Sequence, residues 1–257
     1  MASRSSVLEA TVDLVTEEEL TDRVFSHRPA ARPFVVGHHN LHSVALSRRD
    51  AAMRAFYERA DMIYVDGMSL ITVARFLGLP ARREHRLTSV DWLRPVLEHA
   101  RSAGWRVYYL GSDEATLVKA LATLRADLPG LAIEGRNGHF DMSTETDEVL
   151  AGIAAFRPDI LFVGMGMPRQ EHWVLHNADR IPASVVWTVG ACLDYVGGLV
   201  PTAPRGLARL GGEWLFRLAV EPRRLWRRYL VEPWSLLPLL LRQMWAQRVR
   251  RQPGGAR

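Results

Sequence analysis

At 257 residues, with 48% hydrophobic side chains, the chain holds enough apolar material for one large α/β domain or two small lobes, which excludes global disorder. Its single cysteine, Cys192, excludes an internal disulfide framework and any cysteine-based zinc site, and suits a reducing cytosol. The net charge of +5 is unevenly placed: from Arg205 to Arg257 twelve arginines face only Glu213, Glu221 and Glu232, a balance of +9 that leaves −4 for residues 1–204.

Such a tail seeks anions, whether nucleic acid, phospholipid or phosphates. The first twenty residues lack an apolar signal core and turn acidic quickly, so no secretory signal is expected. No run of about 18 apolar residues occurs, so no transmembrane helix is expected either.

Taken in chain order, short β-like runs alternate with amphipathic stretches. Residues 7–12 read as a strand and 17–26 as a helix, opened by a capping box of Thr16 and Glu19. A strand at 33–38 precedes a helical stretch over 42–60, and a strand at 62–65 precedes helices over 69–78 and 90–103. Strands at 105–110, 131–134, 159–164 and 184–189 alternate with helices over 114–127, 145–156 and 169–178. Several strands are almost wholly apolar, as when helices cover both faces of a parallel sheet. The fold class is therefore a doubly wound, Rossmann-like, mostly parallel α/β sheet over 1–200.

After residue 200 the pattern becomes helical. The connector VPTAPRG leads to amphipathic segments over 206–220, 222–231 and 234–250, with Pro222 and Pro233 placed to open helices. The segment WSLLPLLLRQMW is too short to span a bilayer but suits an interfacial helix. The expected division is a core over 1–200, an arginine-rich helical appendage over 201–250 and a disordered tail over 251–257.

In an open parallel sheet, ligands sit at the carboxyl ends of the strands. Those ends run into GHHNLHS, DGMS, GSDE, GMGMPRQEHW and GACLDYVGG. Glycines there let backbone N–H groups approach a ligand, and a following helix N-terminus favours phosphate. These motifs make Gly67, Met68, Gly111, Gly164, Gly166, Pro168 and Arg169 candidate substrate-binding residues. None of them matches a P-loop or the dinucleotide fingerprint.

Asp66 at a strand end reads either as a general base or as the cap of the next helix. Gln170 and Glu171 read as site residues or as an ordinary first helical turn. His38, His39 and His42 invite a metal reading, but no cysteine joins them and no DxD pair occurs, so no metal site is expected. Arg217, Arg224 and Arg227 are spaced to share one helical face, joined by Arg223 and Arg228. They read as a solvated face, a lipid-binding patch or a diphosphate clamp.

In this order, YVDGMSLITVARFLG, LFVGMGMPRQEHWV, VGACLDYVGGLVPTAPRG and GGEWLFRLAVEPRRLWRRYL resemble the WecG/TagA/CpsF family of bacterial glycosyltransferases, across residues 33–245. The resemblance implies transfer of N-acetylmannosamine, or a relative such as its uronic acid, from a UDP-sugar to a polyprenyl-diphosphate-linked sugar, with inversion. It implies Asp66 as general base and Gln170 as a second catalytic residue. It places Asp194 at the nucleotide, Asn40 and His38 at the site edge, and Arg217, Arg224 and Arg227 over the donor phosphates. It further implies a cytoplasmic protein, peripheral on the inner face of the membrane through its appendage, and a homo-oligomeric core. With no DxD, arginines and helix N-termini must stabilise the leaving diphosphate, so no metal cofactor is expected.

Two positions depart from the family pattern: His38 where threonine is common, and Ser89 where glycine is. They open a different choice of sugar, or lost activity. A nucleotide-sugar oxidoreductase or epimerase would need the missing dinucleotide fingerprint. A binding-only membrane partner would bind UDP without turnover, and retained Asp66 and Gln170 argue against it. Amphipathic interleaving in the tail argues against nucleic acid as the partner.

Overall fold

A computed structural model describes residues 3–27, 32–196 and 212–251, with Gly198, Pro204 and Gly206 between them. Most of the VPTAPRG connector and the tail beyond 251 lie outside the described residues.

The apolar strand runs make a six-stranded, all-parallel sheet. Its strands are β3 (Phe34–His39), β4 (Met62–Val65), β5 (Arg106–Gly111), β6 (Ala132–Arg136), β7 (Ile160–Gly164) and β8 (Val185–Thr188), in spatial order β4-β3-β8-β7-β5-β6. Period-two alternation splits every strand but the edge strand β6 between two cores. Val36, Tyr64, Tyr109, Phe162 and Trp187 face α5 (Ser89–Ser102) and α6 (Glu114–Asp127). Val35, Ile63, Tyr108, Leu161 and Val186 face α3 (Ala51–Arg59), α7 (Thr146–Phe156) and α8 (Arg169–Asn177). Helices on both faces explain why the strands read as unbroken apolar runs.

The chain departs from its sequence reading in four places. The strand expected at 7–12 is a hairpin of β1 (Ser3–Val7) and β2 (Ala10–Leu14), turned at Leu8 and Glu9 with φ of 52° and 66°. Such turns are signalled by Asn-Gly or Asp-Gly, and Leu-Glu carries no such signal. The helix expected over 42–60 is two, α2 (Leu41–Ser47) and α3, because the Asp50 side chain caps the second by accepting from Met53 N. The glycine-rich stretch after β8 contains a short helix, α9 (Cys192–Val196). The fourth departure concerns the appendage. The expected capping box at Thr16 is present on α1 (Glu17–Ser26), and α4 (Met68–Phe76) follows β4.

The appendage comprises α10 (Glu213–Val220), then α11 (Pro222–Trp226), a π-turn at Arg227–Val231, α12 (Glu232–Ser235) and α13 (Leu237–Arg251). Pro222 opens α11 as expected, whereas Pro233 lies inside the first turn of α12. The break at Glu221 means that Arg217 and the pair Arg224 and Arg227 do not share one helix. Leu236 and Leu239 are buried with Val7, Leu14, Val44 and Ala45, which docks the appendage on the hairpin and α2. Gln243 ties α13 to the hairpin turn, donating to Ser6 O and accepting from Leu8 N. No helix of the described residues is long and apolar enough to cross a membrane.

Candidate active site

In an open parallel sheet, ligands sit in crevices at the carboxyl ends of the strands. Two spaces open at that edge here, one at the ends of β3 and β4 and one at the ends of β5 and β7. The appendage roofs the ground between them.

At the first crevice, Asp66 follows β4 and its N–H donates to His39 O across to β3. The N-cap of α4 is Gly67, at φ 93° with no side-chain cap bond, so the Asp66 carboxylate does not cap that helix. It accepts instead from Asn40 Nδ2 at 3.3 Å. Asn40 is itself the cap of α2: its Oδ1 accepts from Ser43 N, which commits the oxygen and turns the amide nitrogen toward Asp66. Asn40, Asp66, Gly67 and Met68 line a cavity of ≈ 330 Å³.

The three histidines go separate ways. His38 Nδ1 lies 3.1 Å from Thr188 O. His39 packs on Tyr57 and bonds Ser43 Oγ, and burial lowers its pKa to about 3, so it stays neutral. His42 pairs with Glu232 of α12. Among the described residues no group of His, Cys, Asp and Glu is arranged to hold a metal ion.

At the second crevice, β5 and β7 approach so closely that a Cβ at Gly111 would collide with the Gly164 carbonyl. Ser112 follows in a left-handed conformation, φ 57°, which is uncommon for a non-glycine residue. Its Oγ donates to Asp194 of α9 at 3.2 Å, and burial raises the Asp194 pKa. Ser112, Gly164, Gly166, Arg169, Asp194 and Arg224 line this cavity of ≈ 580 Å³. Arg169 spends its guanidinium on the loop after β6, donating to Phe140 O and Gly138 O.

A third space of ≈ 380 Å³ joins the two. It shares Asn40, Asp66 and Arg217 with the first and Gly166 and Arg224 with the second, and adds His38 and Arg227. Of the residues singled out in the sequence, Gly111, Pro168 and Gln170 line none of these spaces. Gln170 lies beneath the floor, fully buried. Its Oε1 accepts from Gly190 N, and its Nε2 donates to Glu171, so it positions the loop after β8. Burial lifts the Glu171 carboxyl to about 7.

The roof is cationic. Arg217 and Arg228 are half-buried and line the cavity above Asp66, with Arg227 beside them. None of the three guanidiniums forms an ion pair or hydrogen bond among the described residues. Their guanidiniums lie over Tyr195, Trp226 and Tyr229 at 5.7 to 5.8 Å from the ring centroids. Arg224 is held by Glu221 at 2.6 Å. Although the arginines sit on separate helices, the π-turn brings Arg227 and Arg228 to the cavity that Arg217 reaches from α10. π-turns inside helices recur at functional sites.

Sequence reasoning missed Arg86, Thr88 and Glu213. Arg86 lies beside β4 through a parallel bridge to Val65, and it pairs with Asp91 and Glu213. A lone arginine before a helix cap carries little signal, and only the fold brings it to Asp66.

A carboxylate at a strand end and a polar crevice under unpaired guanidiniums place the candidate site of this α/β protein at the carboxyl edge of its parallel sheet. The chain belongs to the glycosyl transferase WecG/TagA/CpsF family, whose pattern matches residues 5–250. It is thus a glycosyltransferase. It is 30% identical over 179 residues to N-acetylglucosaminyldiphosphoundecaprenol N-acetyl-beta-D-mannosaminyltransferase of Bacillus spizizenii, covering 70% of this chain and 68% of that one. A relative of the same name from Staphylococcus aureus is 26% identical over 197 residues, covering 77% and 73%.

Proposed function

We propose that this protein transfers an N-acetylmannosamine-type sugar from a UDP-sugar to a polyprenyl-diphosphate-linked N-acetylglucosamine, with inversion, in the synthesis of a cell-surface polysaccharide. The observation that carries the reading is the set of unpaired arginines, Arg217, Arg227 and Arg228, facing the cavity that holds Asp66. Guanidiniums without carboxylate partners, those of Arg217 and Arg228 half-buried, form a ready site for a diphosphate. The names of the similar proteins supply the acceptor and the sugar.

The three spaces then divide the substrate. The nucleotide lies in the β5–β7 crevice by Ser112 and Asp194, and its diphosphate meets Arg224, Arg227 and Arg217. The sugar sits over Asn40, His38 and Asp66, and the acceptor enters past Met68 and Tyr229. Asp66 takes the proton of the acceptor hydroxyl as its oxygen attacks the anomeric carbon. The bond from that carbon to the diphosphate breaks, and UDP leaves into the arginines. A metal ion is not required, because the roof supplies the positive charge. Gln170 acts through the Gly190 loop as a positioning residue.

The protein works at the inner face of the membrane. Leu237, Leu241 and Trp245 recur every four residues on α13 and, with Trp234, are exposed, while Leu236 and Leu239 face the core. That stripe suits an interfacial helix flanked by arginines. A screen of UDP-sugars against a soluble polyprenyl-diphosphate–GlcNAc analogue tests the reading. Product heavier by one N-acetylhexosamine supports it, and binding of UDP without turnover of any donor overturns it.

A further inference from the structure

His38 is the penultimate residue of β3 and lines one space with Asn40 and Asp66, and its hydrogen bonding fixes which nitrogen carries the proton. A backbone carbonyl only accepts, so the Nδ1 that lies 3.1 Å from Thr188 O must carry a hydrogen. Burial lowers the His38 pKa, against an opposing pull from the Asp66 charge, so the ring is neutral near pH 7. A neutral imidazole with its proton on Nδ1 has a bare lone pair on Nε2. No described residue bonds Nε2, and His38 lines the space shared with Asp66 and Arg217. The ring is also held in place. It stacks on Tyr64 at 5.5 Å and 28°, while Tyr57 Oη donates to the His38 carbonyl.

The cavity is therefore polarised. Its floor presents acceptors, the Asp66 carboxylate and His38 Nε2, because Asn40 has committed its own oxygen to capping α2. Its roof presents the donors Arg217, Arg227 and Arg228. Glu213 and Glu232 also line the space but are held by Arg86 and His42, so the charges match a sugar diphosphate with its phosphates toward the free guanidiniums and its O–H or N–H donors toward the floor.

We propose that His38 is a specificity-determining residue whose Nε2 accepts a hydrogen bond from one hydroxyl or amide N–H of a bound sugar. This deepens the proposed function and rests on it. A sugar lacking that one donor leaves a buried acceptor unpaired, which a site of this kind rejects strongly.

The test combines variants with substrate analogues. Wild type, His38→Phe and His38→Gln are assayed with donor and acceptor sugars, each lacking one hydroxyl or the acetamide N–H. Tm and UDP affinity confirm that each variant is folded, and His38→Gln keeps an acceptor in the smaller, non-aromatic side chain. For wild type, one analogue is expected to lose about tenfold or more in kcat/KM. His38→Phe should show a similar loss on the complete sugar and no further loss on that analogue, with His38→Gln in between. Two-bond ¹H–¹⁵N spectra should show the His38 ring neutral, with its proton on Nδ1. Losses that multiply for every analogue, or a proton on Nε2, would overturn the inference while leaving the proposed function standing. No turnover by wild type with any complete sugar would overturn both.

Discussion

Asp66 shows how much one side chain depends on its neighbours. Its place after an apolar strand was legible, but whether it caps α4 was not, because that turns on Gly67 taking the cap position at positive φ. Asp66→Asn is expected to lower transfer by about 10²–10⁴ while UDP affinity stays within a few-fold, measured by turnover and calorimetry; turnover within threefold of wild type would remove the base role. Glu171 gives a prediction of stability. Its folded pKa of about 7 lies above the 4.5 of an unperturbed glutamate, so ionisation costs more in the folded state. Stability is then lost as pH rises from about 4.5 to about 7, with a penalty on the order of 3 kcal/mol complete above that window. Glu171→Gln should therefore melt higher than wild type at pH 8 and show a flatter Tm profile from pH 5 to 8. Equal profiles would place the Glu171 carboxyl in a more polar setting than the structure shows. Neither His38's tautomer nor the support Gln170 gives to Gly190 was legible, since each depends on partners 150 and 20 residues away.

At the scale of elements, the parallel strands were legible because helices on both faces demand unbroken apolar runs. The hairpin was not, because Leu8 and Glu9 carry no turn signal. The appendage was legible as helices, and only the family resemblance set its arginines over the site. The spacing of Arg217, Arg224 and Arg227 suggested one helical face, and the break at Glu221 with the π-turn shows convergence from separate helices. Arg227→Ala or Arg228→Ala should lower the rate on a soluble acceptor by about tenfold or more, since each removes charge facing the leaving diphosphate. Trp234→Ala with Trp245→Ala should weaken vesicle co-sedimentation and spare that soluble assay. Should the arginine variants lose only sedimentation, the appendage is an anchor and the diphosphate is neutralised elsewhere.

For the whole molecule, the core and appendage are joined by packing as well as by chain. Every strand among the described residues lies before residue 200, so truncation there should leave a folded α/β core without transfer activity or vesicle binding. Yet Leu236 and Leu239 are buried against the hairpin and α2. The truncated core therefore exposes an apolar patch, and should melt lower than the full chain, by several degrees, in a thermal scan. An unchanged Tm would mean that the appendage docks only weakly. Sugar transfer from a UDP-sugar with arginines in place of a metal can be checked by a single product-mass measurement. Wild-type protein is incubated in EDTA with UDP-N-acetylmannosamine and a soluble polyprenyl-diphosphate–GlcNAc analogue. The acceptor is expected to gain one N-acetylhexosamine residue at the rate seen without EDTA. Loss of that product in EDTA, with recovery on adding Mg²⁺ or Mn²⁺, would contradict it.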